Sequence, residues 1–276
     1  MWQVLEHPVS LAGEVRATLR IRERRAPPPI GAAVWPASHV LLHWALDAWG
    51  AAGPSGGAMV LEIGSGAGLT AIGLALASQP GSVRSVLATD ACPEALANCR
   101  RNIAENNAGH LVRTAEWDIA FEPPCDVQEI THVLAADVVY HGASGAQLVS
   151  RLKAMRDANP KLVIGLILVD RFSGGAVASL GAMNGVNAAT VNLTARLDPA
   201  IEAFERAAAD VGLELHWEPL GEGVARGLTE SLPWVEQTRW HLLGTWPSMR
   251  FYTSGVHGHG GSHAQSEGPV GADSSL

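Results

Sequence analysis

An α/β fold, with a parallel sheet covered by helices on both faces, is the architecture this sequence predicts. Three observations predict it. Strand-like and helix-like stretches alternate about every 25–30 residues, which implies right-handed crossovers between parallel strands. The apolar stretch "AMVLEIG" at 58–64 is a buried strand that feeds the helix-like "LTAIGLALAS". Between them stand Gly64, Gly66 and Gly68, where the missing Cβ atoms permit a tight turn and let a ligand approach the backbone.

In chain order, residues 1–25 alternate weakly, as in "EVRATLRIRER", and read as one or two edge strands ended by the proline run 27–29. Residues 1–30 thus form an N-terminal extension. "PASHVLLHWALDAWG" has Pro36 in its first turn, apolar residues at helical spacing and Gly50 as a stop. After the glycine turn and its helix come "VRSVLATD" as strand, "PEALANCRRNIAENN" as helix, and "HLVRTAEWD" and "THVLAADVVY" as strands. "SGAQLVSRLKAMRDAN" follows as helix and "KLVIGLILVD" as strand. The pattern then changes. A Gly/Ala/Asn-rich insertion at 171–195 reads as a surface loop over the carboxyl edge of the sheet, and "DPAIEAFERAAADVG" as a helix. "LELHWEPL" and "EQTRWHLLGTW" read as two late strands, a closing hairpin that returns antiparallel into the sheet. One domain is expected over residues 1–252. From Thr253 to Leu276 the Gly/Ser/His-rich composition cannot bury enough apolar area to offset ordering entropy, so a disordered tail is expected there.

Bulk properties narrow the function. At 276 residues and 47% hydrophobic content the chain can bury a full core. Its net charge of −8 and the lack of a long basic run argue against a nucleic-acid partner. Cys92, Cys99 and Cys125 are odd in number and form no C-x-x-C pair, which points to a reducing compartment and no zinc site. No basic leader with a long apolar core opens the sequence, and no apolar run reaches membrane-spanning length. A cytoplasmic or nuclear protein with no membrane association is expected. His257, His259 and His263 lie in the tail and read as solvated residues instead of metal ligands.

In such a sheet the ligand lies beyond the carboxyl ends of the strands, so the residues ending each strand are the candidates. The glycine turn admits two readings. Gly66, Gly68 and Ala71 fit the dinucleotide fingerprint, with Asp90 roughly 20 residues on as its ribose acid. Glu62, Gly64, Gly66 and Gly68 fit E-x-G-x-G-x-G, the S-adenosylmethionine turn. A carboxylate at Glu62 suits an ammonium or sulfonium better than a pyrophosphate. Asp90 can accept both ribose hydroxyls, or cap the helix that starts at Pro93. In "EWD", Asp118 can accept from an adenine amino group while Trp117 packs nearby or joins the core. "DVVYH" places Asp137 and Tyr140 three apart at the switch region of the sheet.

From "VWPAS" through the glycine turn, Asp90, "RRNIAENN", "EWD" and the D-x-x-Y of Asp137–Tyr140, the sequence resembles the seven-β-strand S-adenosylmethionine-dependent methyltransferases. Within them it is similar to the protein-lysine methyltransferases that act on calmodulin, valosin-containing protein and elongation factors. The resemblance implies a Rossmann-like seven-stranded sheet. It implies that Trp35 flanks the cofactor, that Glu62 and Gly64, Gly66 and Gly68 hold its methionine part, and that Asp90 holds its ribose. Trp117 and Asp118 would hold its adenine and Ala136 would also bind the cofactor, with Asp137 and Tyr140 as catalytic residues facing the methyl acceptor. A monomer with a lysine-bearing protein substrate is expected. The other readings are transfer to a small molecule or another protein nucleophile, and a non-enzymatic cofactor-binding module. Amide-nitrogen methyltransferases of this fold usually show Asn/Asp-Pro-Pro-Tyr where Val138 and Val139 stand here.

Overall fold

The computed structural model describes residues 2–11, 14–24, 30–49, 56–139, 144–170, 198–220 and 248–254. Strands β3 (Ala58–Ile63), β4 (Val83–Asp90), β5 (Val112–Glu116), β6 (His132–Ala136) and β7 (Val163–Asp170) are parallel, and β8 (His216–Leu220) and β9 (Ser248–Ser254) complete a seven-stranded sheet in the order β5-β4-β3-β6-β7-β9-β8. β9 runs antiparallel to both β7 and β8. The order reverses between β3 and β6, so the crevice at their carboxyl ends is the topological switch point where such sheets bind ligands.

Two cores follow from the strand periodicity. On one face pack α1 (Pro36–Trp49), α2 (Leu69–Ala77) and α3 (Pro93–Glu105), over Val60, Val86, Leu134, Ile167 and Val169. On the other face lie α4 (Ser144–Ala158) and α5 (Pro199–Asp210), over Val133, Ala135, Ile164, Leu166 and Leu168. Successive residues of β7 thus serve opposite layers, which is why that strand reads as an unbroken apolar run. Gly165 is needed for this packing, since a Cβ there would lie 2.7 Å from the Trp44 ring. α5 is capped by Asp198, whose carboxylate accepts from Ala200 N–H at 2.9 Å, and Asp198 N–H in turn donates to Asp170 at the end of β7.

The structure corrects three expectations. Residues 2–24 are not edge strands of the main sheet. β1 (Trp2–Leu11) and β2 (Glu14–Arg24) pair antiparallel as a separate ribbon, seated on the outer side of the α1–α3 layer. His7 of the ribbon meets His39 of α1, with Nδ1 and Nε2 3.2 Å apart. Burial, with His7 and His43 nearby, holds the His39 imidazole well below its usual range. Second, β6 stops at Ala136 and does not continue through "DVVY", because Asp137 takes a left-handed backbone with φ 56°. Third, β8 pairs antiparallel with "SMRFYTS" at 248–254, so ordered pairing runs past the boundary at 252. "EQTRWHLLGTW", the 171–195 insertion and residues 255–276 lie outside the described residues. Among the described residues no helix is long and apolar enough to cross a membrane, and no group of three His, Cys, Asp or Glu is placed to hold a metal ion.

Candidate functional site

The glycine turn leaves β3 with Gly64, Gly66 and Gly68 all at positive φ, at 67°, 52° and 87°. Conformation and space both demand glycine at two of them. A Cβ on Gly64 would sit 2.7 Å from Val138 Cγ1, and one on Gly68 2.6 Å from Cys99 Sγ. The first contact matters most. It presses the turn after β3 against the residue following Asp137, so the ends of β3 and β6 share one crevice. Gly66 approaches the 3₁₀ turn Ile30–Ala32, where Gly31 has a hypothetical Cβ 3.8 Å from Asp90 Oδ2.

Glu62 lies beneath this turn, 3% exposed. Its Oε2 is buried and has no hydrogen-bond partner among the described residues. Burial pushes its carboxyl up to about 8, against hydrogen bonds from the Thr70 side chain and the Ala71 backbone, and the nearby Asp90 charge pushes it further up. Cys99 is pushed up to about 12 by burial and by the Glu62 charge. Glu62 is thus a buried carboxyl beneath the turn that keeps its proton near neutral pH, and a cation brought beside it would favour its ionised form.

Asp90 closes β4 and is engaged twice by its own chain. Oδ2 accepts from Gly66 N–H and Oδ1 from Cys92 N–H, each at 2.9 Å. Burial raises its carboxyl above the usual range, opposed by these two bonds. The carboxylate thus joins the glycine turn to the start of α3, and each oxygen keeps a further lone pair for a ligand hydroxyl.

Beyond β5, Trp117 is buried, packs in the core beneath α4 and α5, and donates from Nε1 to Phe121 O at 3.2 Å. Its backbone N–H donates to Asp90 O, which ties this stretch to the end of β4. Asp118 is exposed and accepts from Ala120 N–H at 2.9 Å. Ala136, half-buried, ends β6 one residue beyond the Ile63–Ala135 pair, beside the glycine turn. Trp35, 38% exposed, precedes α1. Asp137 is half-buried, and its N–H donates to Ile167 O at 2.7 Å. Aspartate tolerates the left-handed backbone better than most residues, so this turn is compatible with the residue found there. Tyr140 lies outside the described residues.

The structure therefore gathers Glu62, the three glycines, Asp90, Ala136 and Asp137 at one strand edge. The reading of the sequence gave no role to Thr70, Cys99 or Asn102. Thr70 and Cys99 follow the turn at distances set by packing, and no local pattern marks them. Asn102 was visible within "RRNIAENN", but its partners lie far away in the sequence.

The model of a family described as lysine methyltransferase matches residues 14–170. No curated protein matches the chain significantly. Among solved structures, the CurJ carbon methyltransferase is similar at 15% identity and a TM-score of 0.50, over 79% of this chain and 54% of that one. A phosphoethanolamine N-methyltransferase from Haemonchus contortus in complex with S-adenosyl-L-methionine is similar at 15% identity and a TM-score of 0.48, covering 79% and 52% of the two chains. Geranyl diphosphate C-methyltransferase from Streptomyces coelicolor is similar at 15% identity and a TM-score of 0.46, covering 79% and 80%. At such identities the likeness is one of fold.

Proposed function

Because the chain belongs to the lysine methyltransferase family, we propose that it transfers a methyl group from S-adenosylmethionine to the side-chain amine of a lysine in a protein substrate. The observation that carries this reading is the pairing of two carboxylates across the switch point: Glu62, buried under the glycine turn with a donor-less oxygen, and Asp137, at the end of the adjacent strand beside Val138, which touches that turn.

The residues present fit the cofactor. The donor-less oxygen of Glu62 suits the cationic methionine part, and the glycine turn leaves room for close backbone approach. Asp90 keeps lone pairs for the ribose hydroxyls. Asp118, with Trp117 behind it, would line the adenine side, Ala136 would meet the cofactor at the end of β6, and Trp35 would flank it. The cofactor supplies an activated methyl group on a sulfonium. The rest of the task belongs to the protein. A lysine amine has an ordinary pKa of about 10.4 and must be uncharged to attack, so burial near a cation helps by disfavouring the ammonium. Asp137 would orient the amine and accept its proton; Tyr140, the other residue of the D-x-x-Y, lies outside the described residues and is assigned to the acceptor only by the family resemblance. Holding the amine in line with that methyl group would then supply a large part of the rate advantage.

The test is incubation of the purified chain with methyl-labelled cofactor and a cell lysate, followed by identification of the labelled species. A labelled protein whose mark maps to lysine supports the proposal. Label on a small molecule, or on another side chain, overturns the acceptor assignment.

A further inference from the structure

Asn102 in the last turn of helix α3 and Asn106, its C-cap, both face the N-terminal ribbon. Each carboxamide pairs with the backbone of β2 as a neighbouring strand would. Asn106 accepts from Arg20 N–H at 2.9 Å and donates to Arg20 O at 2.9 Å. Asn102 accepts from Arg22 N–H at 2.8 Å and donates to Arg22 O at 3.2 Å. Asn102 does one thing more: its Nδ2 also donates to Ala67 O at 2.8 Å, in the centre of the glycine turn. It is 1% exposed, so these partners are not shared with bulk water. A second link runs through Glu23 of β2, fully buried, whose Oε2 accepts from Val34 N–H at 3.0 Å, next to Trp35.

We propose that Asn102 is a positioning residue for the cofactor, and that β2 is a working part of the cofactor site, holding the glycine turn through Asn102 and the Val34–Trp35 wall through Glu23. The inference rests on the cofactor reading above. Its physical basis is that Ala67 O sits between Gly66 and Gly68, at a bend with no helix or strand of its own to fix it. A buried carboxamide that bridges Ala67 to a paired strand lowers the freedom the turn loses when ligand binds, so the ribbon contributes to affinity without touching the ligand. That the family match begins at residue 14, the first residue of β2, agrees with a strand integral to the domain.

Asn106 supplies the internal control, because it grips the same ribbon and, although its Nδ2 also donates to Asn102 O at 2.8 Å, makes no contact with Ala67 O. Asn102→Ala and Asn106→Ala should each lower the melting temperature by about 2–4 °C. Binding of S-adenosylhomocysteine by calorimetry should weaken about tenfold in Asn102→Ala and less than twofold in Asn106→Ala. In turnover, Asn102→Ala should raise KM for the cofactor while leaving kcat at saturation near wild type. Should Asn102→Ala not fold, the wild-type chain answers by hydrogen exchange. Saturating S-adenosylhomocysteine should slow the Arg20 and Arg22 amides of β2 more than those of α5 on the opposite face, since coupling is reciprocal. Equal loss of affinity in both variants, unchanged affinity in Asn102→Ala, or equal protection of β2 and α5 would overturn the inference. Failure of wild type to bind S-adenosylhomocysteine at all would instead remove the cofactor reading, and this inference with it.

Discussion

The two halves of the crevice hold their carboxylates by different means. On the side proposed to hold the cofactor, Asp90 is pinned by two backbone N–H groups, from Gly66 and Cys92, and Glu62 is enclosed by Thr70 and Ala71. On the side proposed to face the acceptor, the backbone itself sets the direction of Asp137, through a left-handed φ of 56° and a bond from its N–H to Ile167 O. The first arrangement is one in which removing a side chain loosens architecture and ligand together. In the second, charge can be removed while the backbone that aims the side chain stays in place. The comparison therefore predicts that cofactor-side variants change both stability and binding, whereas acceptor-side variants change turnover.

The largest effect should come from Asp137→Asn. Asparagine also tolerates the left-handed region, so the variant should fold and bind S-adenosylmethionine within a few-fold of wild type. Transfer of label should fall by about two orders of magnitude or more, within the range of a positioned acid–base group. Wild-type-like transfer would erase the contrast between the two sides. Asp90→Ala comes next. It should weaken S-adenosylhomocysteine by about 1.5–3 kcal/mol in calorimetry and also lower the melting temperature, since Gly66 and Cys92 lose their acceptor. A drop in stability with no loss of affinity would assign Asp90 to architecture alone.

Glu62 gives the intermediate effect, and its sign can be worked out. Its carboxyl in the folded chain, pushed up to about 8, lies above the ordinary value of 4.5, so between those pH values the folded state binds more protons than the unfolded. Its contribution to stability is thus fully present below about pH 4.5 and is lost as pH rises through about 8. A cationic ligand favours the ionised form. Cofactor affinity should therefore rise with pH up to about 8 and then level off, by at most about tenfold per unit. Calorimetry at pH 7 in two buffers of different ionisation heat should record release of about one proton in wild type and none in Glu62→Gln. Uptake of a proton, or a flat profile, would show that Glu62 does not meet the cation.

Trp117→Phe should have the smallest effect. The ring stays in the core and the Nε1 bond to Phe121 O is lost, so stability should fall by about 1 kcal/mol and cofactor affinity by only a few-fold. A large and selective loss of affinity would move Trp117 from the supporting core to the ligand wall.

Much of the cofactor side is local in sequence, and for that reason legible. Glu62 to Gly68 is one turn, and Asp90 ends the next strand exactly where "VRSVLATD" ends. Apolar runs and helical spacing fixed α1 to α5 to within a residue or two, because burial on one face or both leaves its period in the chain. The end of β6 was harder to place. "THVLAADVVY" looks like one strand throughout, and it took the contact of Val138 with Gly64 to reveal a bend at Asp137.

What the sequence determined by itself, then, was the α/β class, the presence of a parallel sheet and the position of the glycine turn, all of which follow from local patterns. Tertiary structure decided the rest. The pairing of β8 with a strand at 248–254, the withdrawal of the N-terminal ribbon from the main sheet, and the reach of Asn102 to both Arg22 and Ala67 join residues tens of positions apart. Such pairings are chosen by which buried donors and acceptors can be satisfied at once in the packed chain, a condition that no short stretch of sequence states.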